Sequence, residues 1–379
     1  MPLGNQKHLF EIPHDVVWLN SASQSPCLHA SAEAGRRAVS RKAQPWDPER
    51  HRIDGEIEAC RELLAGLIGA SGDDIALTLT TSFGLAQAAA NLPLAPGQDV
   101  VVLAEQFPSN YYVWKRLAQR SQARLRIVPR PENFDWTSAV MDAIGPACGL
   151  VALPNCHWTD GSLVDLEKVG GLCRDRGIPL VVDATQSMGA SPTDVGRIGA
   201  DFVVVSAYKW LLCPDCTGFS YVAPHRQQGQ PLELNHRPRA GAPPMTQRIG
   251  YSDRFDAGAR RFDMGASNSM IHVPMVKAAL EQLTRWGVGE VARTLRPLVD
   301  EIAERAVEAG YTVPPARFRI GHFIGLRGSG PPPPDLDRRL AARGVYISLR
   351  GGAIRVSPYL FNDTRDVESL FAALRAEAA

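Results

Sequence analysis

Lys209 stands next to last in the segment ADFVVVSAYKW, residues 200–210, and Asp183 closes the apolar start of PLVVDATQS, residues 179–187. An amine and an acid at the carboxyl ends of consecutive buried strands would stand where open α/β sheets bind ligands. Each residue alone has a plainer reading. An Asp after a strand can cap the next helix, and a Lys is ordinarily solvated because it is almost never buried unpaired. The pair fits the needs of pyridoxal phosphate (PLP): an acid on the pyridine nitrogen, and a lysine on the aldehyde carbon as a Schiff base. Burial would lower that lysine from its usual ~10.4 and make it a nucleophilic amine.

A phosphate needs its own cradle. Thr80-Thr81-Ser82 lies between a predicted strand, 75–79, and a predicted helix, 83–91. Hydroxyls and free N–H groups at a helix start bind anions, although a simple N-cap has the same look. Ser206 and Tyr208 could add hydroxyls. His157, Trp158 and Asp160 follow the predicted strand 150–153 at the same sheet edge and are candidates to face substrate or cofactor. His157 fits a satisfied structural histidine equally well. His236, Arg237 and Arg239 lie in an irregular connection, 224–262, and are candidates to shape substrate entry, with His236 a candidate substrate contact; a solvated basic loop is the plainer reading for Arg239.

The elements that must position these residues read as α/β. Two helices, near 27–42 and 50–69, are divided by the breaker Gln44-Pro45-Trp46-Asp47-Pro48. Strands at 75–79, 99–103, 124–128, 150–153, 179–182, 202–205 and 218–222 alternate with helices at 83–91, 108–121, 135–143 and 165–176. Continuous runs such as VVVL belong to strands buried on both faces of a mostly parallel sheet. Helices follow at 272–286 and 289–309, then a strand at 318–326, a helix at 335–343, strands at 345–349 and 352–356, and a helix at 364–377. This pattern divides the chain into an N-terminal arm (1–20), a large cofactor domain (21–262, with a helical lead-in to 70), and long helices with a small α/β domain (263–379).

The run VVDATQSMGA…GADFVVVSAYKWLLCP…GFSYVAP resembles the class V aminotransferases of PLP fold type I, a group with cysteine desulfurases, kynureninase and isopenicillin N epimerase-like enzymes. LTLTTSFGLAQAAANLPL, VVLAEQFPSNYYVWKRLA, LPNCHWTDGSLVDL and ARRFDMGASN extend the likeness over nearly the whole chain. The resemblance implies that Lys209 forms the Schiff base, Asp183 pairs with the pyridine nitrogen and Gln186 bonds the ring's phenolic oxygen. It implies that Phe107 stacks on the ring where many relatives have His, and that Thr81, Ser82, Ser206 and Tyr208 hold the phosphate. Arg355, in GGAIRVSPYLFN, matches an arginine that grips the substrate carboxylate. Ser267, in GASN, matches a segment that reaches the neighbour's phosphate, which implies a homodimer.

Two departures matter. Cys213 stands where relatives have Gly and forms a C-x-x-C with Cys216; two ordinary thiols is the preferred reading over a redox couple or half a zinc site. No Cys lies in Gly344–Arg355, where desulfurases carry their sulfur acceptor.

The chain has 379 residues and a net charge of +1, which offers no general attraction to nucleic acid or an anionic membrane. No apolar run has the ~18 residues of a membrane span, no signal peptide is visible, and seven scattered cysteines suit a reducing cytoplasm. The expected function is a PLP enzyme acting on an α-amino acid, with no metal. C–S β-elimination of an S-substituted cysteine ranks above transamination or epimerisation. A non-catalytic effector module of a transcription regulator is the alternative of another class; only about 17 residues precede the first family element, too few for a helix-turn-helix.

Overall fold

The computed structural model describes residues 2–48, 53–235, 239–241 and 251–378. In chain order the first elements are β1 (Val17–Trp18), α1 (His29–Lys42), α2 (Ile53–Ile68), β2 (Ile75–Thr78), α3 (Thr81–Asn91), β3 (Asp99–Leu103) and α4 (Ser109–Arg120). Next come β4 (Arg124–Val128), α5 (Trp136–Ala143), β5 (Cys148–Pro154), α6 (Leu166–Arg176), β6 (Leu180–Asp183), α7 (Val195–Ile198), β7 (Phe202–Ser206) and β8 (Gly218–Val222). The rest are α8 (His272–Trp286), α9 (Val288–Glu308), β9 (Ile324–Leu326), α10 (Leu336–Ala341), β10 (Val345–Tyr346), β11 (Ser348–Arg350), β12 (Ala353–Val356) and α11 (Thr364–Ala378).

The large sheet runs β2-β8-β7-β6-β5-β3-β4. Only β8 is antiparallel to its neighbours; the other pairings are parallel. Apolar side chains alternate along each strand between two helix layers. Val101, Val151, Val182 and Val203 enter one cluster, and Val100, Leu150, Val181 and Val204 enter the other. That is why these strands read as unbroken apolar runs. This is the expected mostly parallel α/β sheet.

Helix ends place the site. Asp165 caps α6 by accepting from Lys168 N at 3.1 Å, and Gly177, at φ +64°, ends it. Thr80 caps α3 by accepting from Phe83 N at 3.2 Å. Gly84 lets α3 lie on the sheet: a Cβ there would stand 2.8 Å from Val204 Cγ1.

A separate cluster, with Leu19, Val299, Ile302, Ile354 and Leu370, forms the core of the C-terminal layer. β1 pairs in parallel with β10, so the N-terminal segment adds a strand there. Val273, Leu280 and Leu283 of α8 instead pack in the large cluster, and α9 spans both: Val291 and Leu295 join the large one, Val299 the small one.

Some expected boundaries move. The strand expected over 318–326 is only Ile324–Leu326: Ala316–Phe318 form a 3-10 turn, Arg319 makes an isolated bridge to Ser162, and pairing with β12 begins at Ile324. The strand expected over 345–349 is two short ones: β10 pairs with β1, and β11 pairs with β12. Gly344–Arg355 is therefore mostly a paired hairpin, turned at Gly351-Gly352 with φ +54° and +75°. Among the described residues no helix is long and apolar enough to cross a membrane.

Candidate active site

β6 and β7 are adjacent and parallel, with Asp183 opposite Val204. Their carboxyl ends, with the start of α3 and the loop after β3, enclose a cavity of ≈ 190 Å³. Its wall contains Lys209, Asp183, Gln186, Phe107, Trp158, Thr81, Ser82, Ser206 and Tyr208. Residues far apart in sequence thus meet at the sheet edge where ligands bind.

Lys209 is 7% exposed. Burial is the main cause that lowers its pKa to about 8; the charge of Arg355 adds to this and Asp183 opposes it. Its Nζ stands 5.7 Å from the Phe107 ring centre and 5.6 Å from that of Tyr208. Asp183 is also 7% exposed, and burial raises its pKa above the ordinary carboxylate range. It accepts from Thr185 N at 3.0 Å but forms no ion pair among the described residues. A buried carboxylate without a cation is costly, so the site calls for a cationic or protonated partner.

Three hydroxyls converge at the start of α3. Thr81 Oγ1 lies 2.6 Å from Thr185 Oγ1 and 2.8 Å from Ser206 Oγ. Thr81 N donates to Ser206 Oγ at 2.9 Å. Ser82 Oγ donates to Ser109 Oγ at 2.7 Å on the same rim. Hydroxyls can rotate to serve an anion, and the helix start favours one. An unpaired buried acid, a lysine of lowered pKa, a hydroxyl cradle and an exposed Phe107 face in one small cavity together fit PLP.

Gln186 is in the wall, but its amide is partly spent. Nε2 donates to Ala22 O at 2.9 Å, and Oε1 accepts from Trp210 Nε1 at 3.0 Å. One Nε2 proton is left for a ligand oxygen. Arg355 lies just behind the wall, 2% exposed. It donates to Trp158 O at 2.9 Å, Ser23 Oγ at 2.7 Å and Ser348 Oγ at 3.2 Å. Burial, then the charge of Arg350, lowers its pKa to about 9, and no carboxylate pairs with it among the described residues.

Other expected residues lie elsewhere. His157 is fully buried and outside the cavity wall: its ring stacks on Trp136 at 5.3 Å and Nε2 lies 3.1 Å from Ala104 O. Burial lowers its pKa to about 4. Asp160, also outside the wall, binds Arg130 at 2.6 Å and Arg327 at 3.3 Å. These two residues fasten the loop that carries Trp158 rather than face the cavity. Trp158 is itself in the wall, edge-on to Phe107 at 5.4 Å. Ser267 lines a different cavity, with Thr78, Leu79 and Cys216. His236 and Arg237 lie outside the described residues. Arg239 lies over the Phe255 ring at 4.3 Å, away from the site.

Sequence reasoning missed Thr185, Gln106 and Cys156. Thr185 had a signal, since it sits between Asp183 and Gln186. Gln106 had none; its Nε2 is buried in the wall without a partner. Cys156 lines the wall but is fully buried, and burial raises its pKa strongly. Cys213 is buried, Cys216 exposed, and both are free thiols. Among the described residues no group of three or more His, Cys, Asp or Glu is placed to hold a metal ion.

Residues 41–312 match the model of the family described as aminotransferase class-V. The chain is 27% identical to isopenicillin N epimerase of Streptomyces clavuligerus, over 95% of this chain and 94% of that protein. It is 33% identical to a probable cysteine desulfurase of Methanothermobacter thermautotrophicus, over 76% and 72% of the two chains. A solved structure of C-DES, a mutant with glycine covalently linked to its PLP cofactor, superposes with a TM-score of 0.88 at 18% identity, covering 97% of this chain and 98% of that one.

Proposed function

Because the chain belongs to the class-V aminotransferase family and is a PLP-dependent enzyme, we propose that it is a lyase that removes a thiol from Cβ of an S-substituted cysteine. The observation that carries this reading is the wall's chemistry among the described residues: one amine of lowered pKa, Lys209, and a single thiol, Cys156, which burial holds protonated.

When bound, PLP withdraws electrons from Cα and weakens its bonds. Asp183 would hold the pyridine nitrogen protonated, and its buried charge would gain the cation it lacks. Thr81, Thr185, Ser206 and Ser82 would hold the phosphate at the start of α3, with Tyr208 beside them. Arg355 would hold the substrate carboxylate; one N–H on each of Nη1 and Nη2 is left for it after Trp158 and Ser23 are served. Lys209 would take the Cα proton, since near pH 8 about half of such an amine is neutral. With PLP bound, the thiol would leave from Cβ with the Cβ–S electron pair, Lys209 would retake the cofactor's aldehyde carbon to free the three-carbon product, and water would convert that product to pyruvate and ammonia.

Transfer of sulfur to the protein would need a nucleophilic thiolate near Cβ. The hairpin β11–β12 has none, and Cys156 is held protonated by burial. Elimination needs no protein thiol. The test is to mix purified holoenzyme with S-substituted cysteines and other amino acids. Pyruvate with ammonia in equal amounts supports the reading. A keto acid with pyridoxamine phosphate, or solvent deuterium at Cα without net breakdown, replaces it by transamination or epimerisation.

A further inference from the structure

Two guanidinium groups converge beside this site, and among the described residues neither has a carboxylate. In the hairpin β11–β12, Ser348 pairs with Arg355 and Arg350 pairs with Ala353. Side chains two apart on a strand share a face, so Arg350 and Arg355 project from the same face as diagonal neighbours. Their tips converge. Ser23 Oγ accepts from Arg355 Nη2 at 2.7 Å and from Arg350 Nη2 at 3.5 Å. The remaining bonds of Arg350 do not neutralise it: Nη1 donates to the carbonyl of its neighbour Leu349 at 2.8 Å.

Other arginines nearby are satisfied. Arg130 binds Glu105 and Asp160, and Arg327 binds Asp160. Arg350 and Arg355 form no ion pair among the described residues, although two like charges on one sheet face repel. Both positive charges are also felt at Lys209, where they disfavour its ammonium form. A single carboxylate held by both free Nη protons of Arg355 would leave the Arg350 charge unmatched.

We propose that Arg350 selects the substrate by binding a second acidic group, carried on the amino acid's side chain, while Arg355 holds the α-carboxylate. The preferred substrate is then an amino acid with two acid groups; under the elimination reading, a cysteine whose sulfur substituent ends in a carboxylate. This rests on the assignment of Arg355 to the α-carboxylate. It does not depend on which bond is broken.

The test therefore uses acids that have no amine and cannot react. Calorimetry on the holoenzyme compares succinate, glutarate, adipate and pimelate with butyrate, valerate, hexanoate and heptanoate, matched in length. At one or more lengths the dicarboxylate binds about tenfold tighter or more, the worth of one further charge-assisted contact. Arg350→Gln brings that ratio to near one, and Arg350→Lys keeps part of it; the visible band of bound PLP shows that each variant is folded. A ratio near one in the wild type, or no binding by either series, overturns the proposal. So does equal weakening of both series by Arg350→Gln, which would mean that both arginines share one carboxylate. Failure of the elimination reading appears separately, as products other than pyruvate in the amino-acid panel.

Discussion

Replacing Asp183 by Asn should move stability and activity in opposite directions. The carboxylate is buried beside β7 with no ion pair among the described residues, and burial raises its pKa against the pull of Thr185 and Lys209. A group whose folded pKa lies above its unfolded value stabilises the fold at low pH, and that contribution is lost as pH rises through the folded pKa. Toward neutral pH that contribution is spent, so the buried acid is a burden on the apoprotein. Asn is isosteric, and its Oδ1 can still accept from Thr185 N. The apo variant should be at least as stable as wild type and gain up to about 1–3 kcal/mol, the scale of one uncompensated buried polar group. The holoenzyme should lose. A neutral amide cannot form an ion pair with a protonated pyridine or hold it protonated, and loss of that pairing costs roughly 1.5–3 kcal/mol, or about 10- to 100-fold. Urea unfolding of both apoproteins, PLP titration followed in the visible, and kcat/KM measure the three quantities. Reconstitution with N-methyl-PLP, which keeps its positive charge, should recover part of the lost turnover. The reasoning is refuted if holo turnover stays within about threefold of wild type, or if the apo variant is clearly destabilised; Asp183 would then be a structural acid.

Attachment of PLP to the apoprotein needs the neutral amine, so its rate should rise with pH and level off above about 8, following the lowered pKa of Lys209. Lys209→Ala should bind PLP without the covalent band and lose turnover; stopped-flow absorbance reads both. Thr81→Ala removes a hydroxyl shared with Thr185 and Ser206 and should weaken PLP binding by about tenfold, seen as a higher dissociation constant by fluorescence. The Cys213→Ala, Cys216→Ala double variant should keep most activity, and mass spectrometry should find no substrate-dependent gain of one sulfur on the protein. Static light scattering at micromolar concentration should report a homodimer if Ser267, which lines a cavity other than this chain's phosphate cradle, serves the neighbour's.

The sheet and its two key residues were legible because their determinants are local. Continuous apolar runs at β6 and β7 specify buried parallel strands, and the residue that follows a buried strand emerges at its ligand edge. Asp183, Lys209 and the start of α3 follow from that rule. So does Thr185, which the motif contained but whose hydroxyl contacts it did not display.

Tertiary packing decided what local pattern could not. The same strand-end rule brought His157 toward the ligand, but Trp136 and the carbonyl of Ala104 enclose its ring, so it stays neutral and buried. Gln186 is divided between Ala22 and Trp210, partners that its motif does not include. The arrangement of Arg350 and Arg355 depends on a tight two-glycine hairpin and on Ser23, 332 residues before Arg355. Periodicity records which face a residue takes within its own element. Which distant hydroxyl, ring or carboxylate meets that face is set only when the N-terminal segment, the sheet and the C-terminal layer pack together, and among the described residues that packing leaves two arginine charges near Lys209 without an acid.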